Sequence, residues 1–160
     1  MPKSKALYPA QFRQQMVEIV HAGRKPRDLA TLKDRGARKM VYHNTSAPIF
    51  SSDDTTAWYE SLRAVNQGDP FFFSRFFRVP GMTQCPDGPT TDQFDMLTPL
   101  VNWIEKGQAP EVVIASARGV GNAGGVNASL PSNWLPARTR PLCMYPNVAR
   151  NKGTGSADLA

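Results

Sequence analysis

Apolar residues recur along this chain with two different periods, and the switching between them predicts helices alternating with strands. Phe12, Met16, Ile19 and Val20 stand at i, i+4, i+7 and i+8, one face of a helix over about residues 9–22 that Gly23 would end. After a charged linker, Leu29 and Leu32 suggest a short helical turn. Lys39-Met40-Val41-Tyr42-His43 then reads as a buried strand bounded by Gly36 and Pro48. Ser51 and Ser52 ahead of Asp53 and Asp54 supply an N-cap with acids in the first turn, and Trp58, Leu62 and Val65 continue one helix face as far as Gly68. Phe72 to Val79, rich in aromatic and β-branched residues, is a second strand stopped by Pro80-Gly81. A capping arrangement at Thr90 and Gln93 predicts a helix bearing Phe94, Leu97, Val101 and Ile104, closed by Gly107 and bent at Pro99. Val112-Val113-Ile114-Ala115 is a third strand.

This order implies an α/β fold with a mostly parallel sheet covered on both faces by helices. Past Ser116 the regularity fades into spaced glycines and prolines, which predicts a long ordered coil or hairpin extension. The expected organisation is an N-terminal helix and basic linker over 1–27, the main α/β part over 28–116, and a Gly/Pro-rich extension over 117–160 packing on it. With 160 residues one domain is the default, and such a chain buries roughly 70% of its unfolded surface.

Charge is distributed unevenly. Residues 1–39 carry ten Lys/Arg against Glu18, Asp28 and Asp34, residues 40–111 hold nine acids against four bases, and no acid occurs between Glu111 and Asp158. A pI near 9.6 permits attraction to polyanions, but the basic residues form no continuous helical stripe and the aromatics lie mostly in the acidic middle. Nucleic acid is therefore not the expected partner, and a basic binding module is suggested by charge alone. No run approaches the roughly 18 apolar residues a membrane span needs, so no membrane partner is expected either. Met1-Pro2-Lys3-Ser4-Lys5 leads into an amphipathic segment without the apolar core of a signal peptide.

Local motifs offer little chemistry. Gly119-Val120-Gly121-Asn122-Ala123-Gly124 matches the dinucleotide fingerprint literally, yet the residues that follow are poor helix formers and no acid appears near the required spacing. No cofactor is expected. No serine stands in a Gly-x-Ser-x-Gly elbow or directly after a cysteine. His21 would complement a helix C-terminus, and His43 ends a strand, where histidine is more often structural. Cys85 and Cys143 lack the paired spacing of a zinc site, so no metal is expected. Asn44-Thr45-Ser46 and Asn127-Ala128-Ser129 match glycosylation acceptors, a pattern that arises easily by chance.

Longer stretches are more specific. Val79-Pro80-Gly81-Met82, Gln93-Phe94-Asp95-Met96-Leu97, Trp103 to Pro110 and Arg138 to Pro146 together resemble the C-terminal part of the tannase and feruloyl esterase family of α/β-hydrolases. The resemblance runs from about Asp28 to Ser156. It implies a serine carboxylic-ester hydrolase acting on aromatic esters, and a secreted or periplasmic location.

The same resemblance implies that the catalytic groups are missing. The strand matching Met40–His43 is followed in the family by a loop carrying the triad acid, and that position is Ala47 here. The family reads Val-Pro-Gly-Met-x-His-Cys where this chain has Gln84 in place of the triad base. The family nucleophile follows a cysteine in a Cys-Ser-x-Gly-Gly segment, which is not found in these 160 residues. Cys85 matches a cysteine that pairs with the one beside the nucleophile, and Cys143 matches one that pairs near the family's C-terminus. The expectation is an inactive portion of an esterase, or an interaction subunit assembling with a separate N-terminal half. Strands near 39–43 and 73–79 should then present unpaired edges and uncovered apolar faces.

Overall fold

In the computed structural model of the chain, residues 36–68, 70–83, 87–151 and 153–154 are described. The predicted helix over 9–22, the turn near Leu29, Gln84 and Cys85 lie outside the described residues.

Two strands and one helix form the first layer. Strand β1, Lys39–Asn44, pairs in parallel with β2, Ser74–Val79, in a register that sets Lys39 against Ser74 and Asn44 against Val79. Helix α1, Ser52–Val65, makes the crossover between them. It begins where the pattern places it, with the Ser51 side chain accepting from the Asp53 N–H at 3.1 Å and Asp53 and Asp54 in the first turn. Its last turn closes through Gly68, whose N–H donates to the Arg63 carbonyl at 2.8 Å and whose φ of 88° suits glycine.

Strand β2 is buried almost throughout because its two faces pack on different cores. Phe76 joins Tyr59, Leu62 and Phe73 beneath α1, and the Tyr59 hydroxyl donates to the Ser74 carbonyl at 2.9 Å. Phe77 and Val79 point the other way, onto Met82, Val113, Ala115 and Leu142.

That second core belongs to a three-stranded antiparallel sheet in the order β3, Gln93–Phe94; β4, Val112–Ser116; β5, Thr139–Cys143. Parallel pairing is therefore confined to β1 and β2, and the expected third parallel strand is antiparallel to both of its neighbours. The burial of β4 explains the difference. Val113 and Ala115 are buried while Val112 and Ile114 are exposed, which is the alternation of a half-covered strand and not the full burial of a central parallel one. The chain leaving β5 bridges the two sheets, through the Phe77–Met144 pair and the Tyr145 N–H to Phe76 carbonyl bond at 2.7 Å. The expected free edge of β2 is thereby occupied. Among the described residues β1 pairs on one side only.

Helix α2, Leu97–Lys106, starts later than the Thr90–Gln93 cap predicts. Gln93 and Phe94 are taken by pairing with Ser116 and Ala115, and the Asp95 carboxylate accepts the first-turn N–H groups of Leu97 and Thr98 at 2.8 and 3.0 Å. Pro99 falls in the first turn, where its missing N–H would have no intrahelical partner, so it need not bend the helix. Gly107 ends it with φ of 70°, as predicted. The predicted apolar face is present but unburied: Leu97 is 69% and Ile104 61% exposed, while Trp103 is the buried residue.

Candidate active-site loops

Parallel strands place their C-terminal ends side by side, and in open α/β sheets ligands gather at those ends. Here the two loops are those leaving β1 at Asn44 and β2 at Val79. They are tied together where they leave the strands. The Thr45 N–H donates to the Val79 carbonyl at 3.0 Å, the Ser46 N–H to the Met82 carbonyl at 3.1 Å, and the Gly81 N–H to Thr45 Oγ1 at 3.3 Å. The Asn44 amide donates to the Thr83 carbonyl.

The loop after β2 is pinched at its base. The Thr83 N–H donates to the Asp87 carbonyl at 2.9 Å and the Thr90 hydroxyl to the Pro80 carbonyl at 2.8 Å. Two glycines permit this approach. A Cβ on Gly81 would meet the Pro89 carbonyl oxygen at 2.5 Å, and one on Gly88 would meet the Gly81 carbonyl oxygen at 2.3 Å. Both have positive φ.

A second network holds the far side. The Asp92 side chain is fully buried and accepts from Arg118 Nε and Nη2 at 3.0 and 2.7 Å. Asn127 donates to the Gly88 carbonyl at 2.9 Å and to Asp92 at 3.3 Å, so it is 4% exposed and committed to the interior. The Ser129 hydroxyl and the Gly88 N–H donate to Asp87 and hold its carboxyl below the usual range. The Gly-rich stretch from Gly119 to Gly125 is turn and coil with no helix after it. It supplies carbonyls to Arg118 at Gly124 and lacks the helix N-terminus a pyrophosphate would need.

Of the family-matched positions, Ala47 stands on the β1 loop one residue past the Ser46–Met82 tie and is half-buried. Gln84 and Cys85 follow Thr83 but are not among the described residues. Cys143 ends β5 and is a free, half-buried thiol. His43 Nδ1 lies 2.6 Å from Thr55 Oγ1, a staple between β1 and α1, and no carboxylate is hydrogen-bonded to that ring among the described contacts. No group of three potential metal ligands occurs among the described residues. Both glycosylation-pattern asparagines use their amides internally, Asn44 on Thr83 and Asn127 on Gly88.

A model of the tannase and feruloyl esterase family matches residues 9–160. This chain belongs to the tannase and feruloyl esterase family. It is 47% identical over 128 residues to a mono(2-hydroxyethyl) terephthalate hydrolase from Piscinibacter sakaiensis, covering 80% of this chain and 19% of that protein. It is 31% identical over 147 residues to a probable feruloyl esterase B from Emericella nidulans, covering 80% of this chain and 26% of the relative. The crystal structure of feruloyl esterase B from Aspergillus oryzae superposes with a TM-score of 0.61 at 26% identity, over 81% of this chain and 27% of that one. An Aspergillus oryzae esterase at 24% identity superposes with a TM-score of 0.65, a likeness of fold. The chain thus spans about a fifth to a quarter of the length of the curated relatives it matches. Membership explains why the loop ties and the motif stretches coincide, since Val79-Pro80-Gly81-Met82 forms the pinched loop itself.

Sequence reasoning missed two features of this family member. The Asp92–Arg118–Asn127 network joins residues up to 35 positions apart, and no local pattern pointed to it. Strand β5 was hidden by Pro141, which is tolerated because the strand lies at the edge of its sheet.

Proposed function

We propose that this chain is the C-terminal portion of a carboxylic-ester hydrolase of the tannase and feruloyl esterase type, and that it does not turn over esters by itself. The observation that carries the reading is Ala47, which directly follows the Thr45 and Ser46 ties to the loop after β2, the loop that in sequence continues to Gln84. Serine hydrolysis needs an imidazole to take the nucleophile's proton and a carboxylate to orient that imidazole. A methyl group cannot orient or stabilise an imidazolium, and an amide lacks the basicity to accept a proton in the transition state. Loss of triad members typically lowers turnover by about 10⁴ to 10⁶. The partial match to relatives several times longer supports placing the nucleophile and the substrate-covering parts elsewhere in the family's proteins. A secreted or periplasmic location follows from the same reading; no helix among the described residues is long and apolar enough to cross a membrane.

The test is hydrolysis of methyl gallate, methyl ferulate and a nitrophenyl acetate by purified protein. Rates at the blank level are expected. Turnover well above blank that a serine-directed covalent inhibitor abolishes would overturn the reading.

A second reading, an interaction subunit that assembles with a separate N-terminal half, is favoured by the exposed apolar residues Ile49 and Phe50 after β1, a strand that among the described residues pairs on one side only. Non-reducing mass analysis of native material decides it. A persistent monomer with two free thiols speaks against the assembly.

A further inference from the structure

Arg78 stands on β2, half-buried, and among the described residues its guanidinium has neither a hydrogen bond nor an ion pair. The guanidinium carbon instead lies 5.2 Å from the Tyr145 ring centroid. Stacking of this kind fixes the cation and leaves its planar fork of donors unused at the ring edge. A charge drawn partly out of water without a counter-ion is costly, so the position favours an anion from outside the chain. Space for one is present. Arg78 lines a cavity of about 370 Å³, walled by Pro89 on one side and by Trp134, Leu142 and Val148 on the other, and no acid lines it. The volume lies within the roughly 300–1,000 Å³ typical of small-ligand sites. Arg140 also lines the cavity but has partners of its own, so Arg78 is the cation whose donors await a ligand.

A second group in the same wall points to the same conclusion. Thr91 lines the cavity and is 4% exposed, yet its hydroxyl has no hydrogen-bond partner among the described residues. Sealed polar atoms without a partner occur elsewhere, at Ser74 Oγ for example, but not at Thr91, so this hydroxyl opens on the cavity. Its neighbour Thr90 is different, being spent on the Pro80 carbonyl. The Asn147 side chain, also at the cavity, has no hydrogen bond either. Donors thus come from three segments: β2, the stretch leading to β3, and the chain after β5. A carboxylate has two oxygens in one plane, which the guanidinium fork alone would satisfy, leaving Thr91 and Asn147 unpaired. A phosphoryl group has three terminal oxygens pointing in three directions, one for each segment.

We propose that this cavity binds a small phosphate monoester, its phosphoryl oxygens on Arg78, Thr91 and Asn147 and its organic part against Trp134 and Leu142. The ligand is held and not cleaved, and it is not a carboxylic ester. The site is therefore independent of the reading above: esterase turnover would not remove it, and its failure would not restore chemistry to the loops.

The experiment is calorimetric titration of the whole chain with phenyl phosphate, with benzoate as the carboxylate on the same ring and phenol as the uncharged analogue. Phenyl phosphate should bind, and benzoate and phenol should bind at least about tenfold more weakly. Affinity should rise between about pH 5 and pH 7, as the phosphoryl group takes its second charge near pH 6, and fall with added salt. Arg78→Gln should weaken phenyl phosphate about tenfold or more, and Arg78→Lys less. Thr91→Val keeps the shape and removes a hydroxyl that bonds to nothing in the fold, so it should stay folded by circular dichroism and weaken binding about threefold to tenfold. Benzoate or phenol binding as tightly as phenyl phosphate, unchanged affinity in folded Thr91→Val, or no heat from phenyl phosphate at about 10 mM with folded protein would each overturn the proposal.

Discussion

The tied loops and the cavity beside them share Thr45 and Gly81, yet they differ in what they offer a ligand. The loops hold a set of backbone ties around Thr45, Ser46 and Gly81, next to Ala47, the position that the proposed reading matches to the family's acid. The cavity retains charge and shape. Scaffold and function are therefore separable in this chain. The backbone ties of Thr45, Ser46 and Gly81 use main-chain groups and one hydroxyl, so substituting a neighbouring side chain costs the geometry nothing. A binding cavity has no such reserve, because the Arg78 and Thr91 side chains are themselves the proposed function.

The comparison can be broken or sharpened experimentally. The largest effect expected is on hydrolysis: the chain should lie at background, and serine-dependent turnover would show that the loops are not chemically empty. Next, two core truncations separate the regions. Phe77→Ala and Leu142→Ala each remove a fully buried side chain of one cluster and should cost about 3–5 and 2–5 kcal/mol in denaturant unfolding. Only Leu142 also walls the cavity, so per folded molecule phenyl phosphate should weaken in Leu142→Ala and persist in Phe77→Ala. Equal loss of binding in both would mean the cavity is not a local feature.

Asp92→Ala should be milder, about 1.5–3 kcal/mol, because the charged hydrogen bonds are lost but Arg118 can still reach water. The smallest effect concerns pH. The Asp87 carboxyl is held below its ordinary range by donors from Ser129 and Gly88, so its contribution is complete above the unfolded carboxylate range and lost as pH falls through the depressed folded value. Asp87→Asn should therefore flatten the acid limb of the stability profile. An unchanged limb would assign acid sensitivity to other carboxylates.

Local signals were legible where a short stretch settles its own structure. The Ser51 cap, the Gly107 stop and the β1 and β2 strands follow from capping, left-handed glycine and β-branched runs within a few residues. Other signals failed where a distant partner decided. The Thr90–Gln93 cap gave way because Gln93 and Phe94 pair with Ser116 and Ala115, and periodicity alone did not reveal that the apolar face of α2 stays exposed. The matched positions Ala47, Gln84, Cys85 and Cys143 came from family resemblance and not from any local pattern. Arg78 and Thr91, which line one cavity, carried no sequence signal linking them.

Motif stretches by themselves pointed to the family, and local patterns to the first strands and helix, because each is a matter of which side chains occupy a short window. The antiparallel return of β5, the two-sided burial of β2, the loop ties and the cationic cavity were decided by tertiary structure. Those features depend on hydrogen bonds and packing between segments as far apart as Phe76 and Tyr145, and no window of the sequence contains both partners.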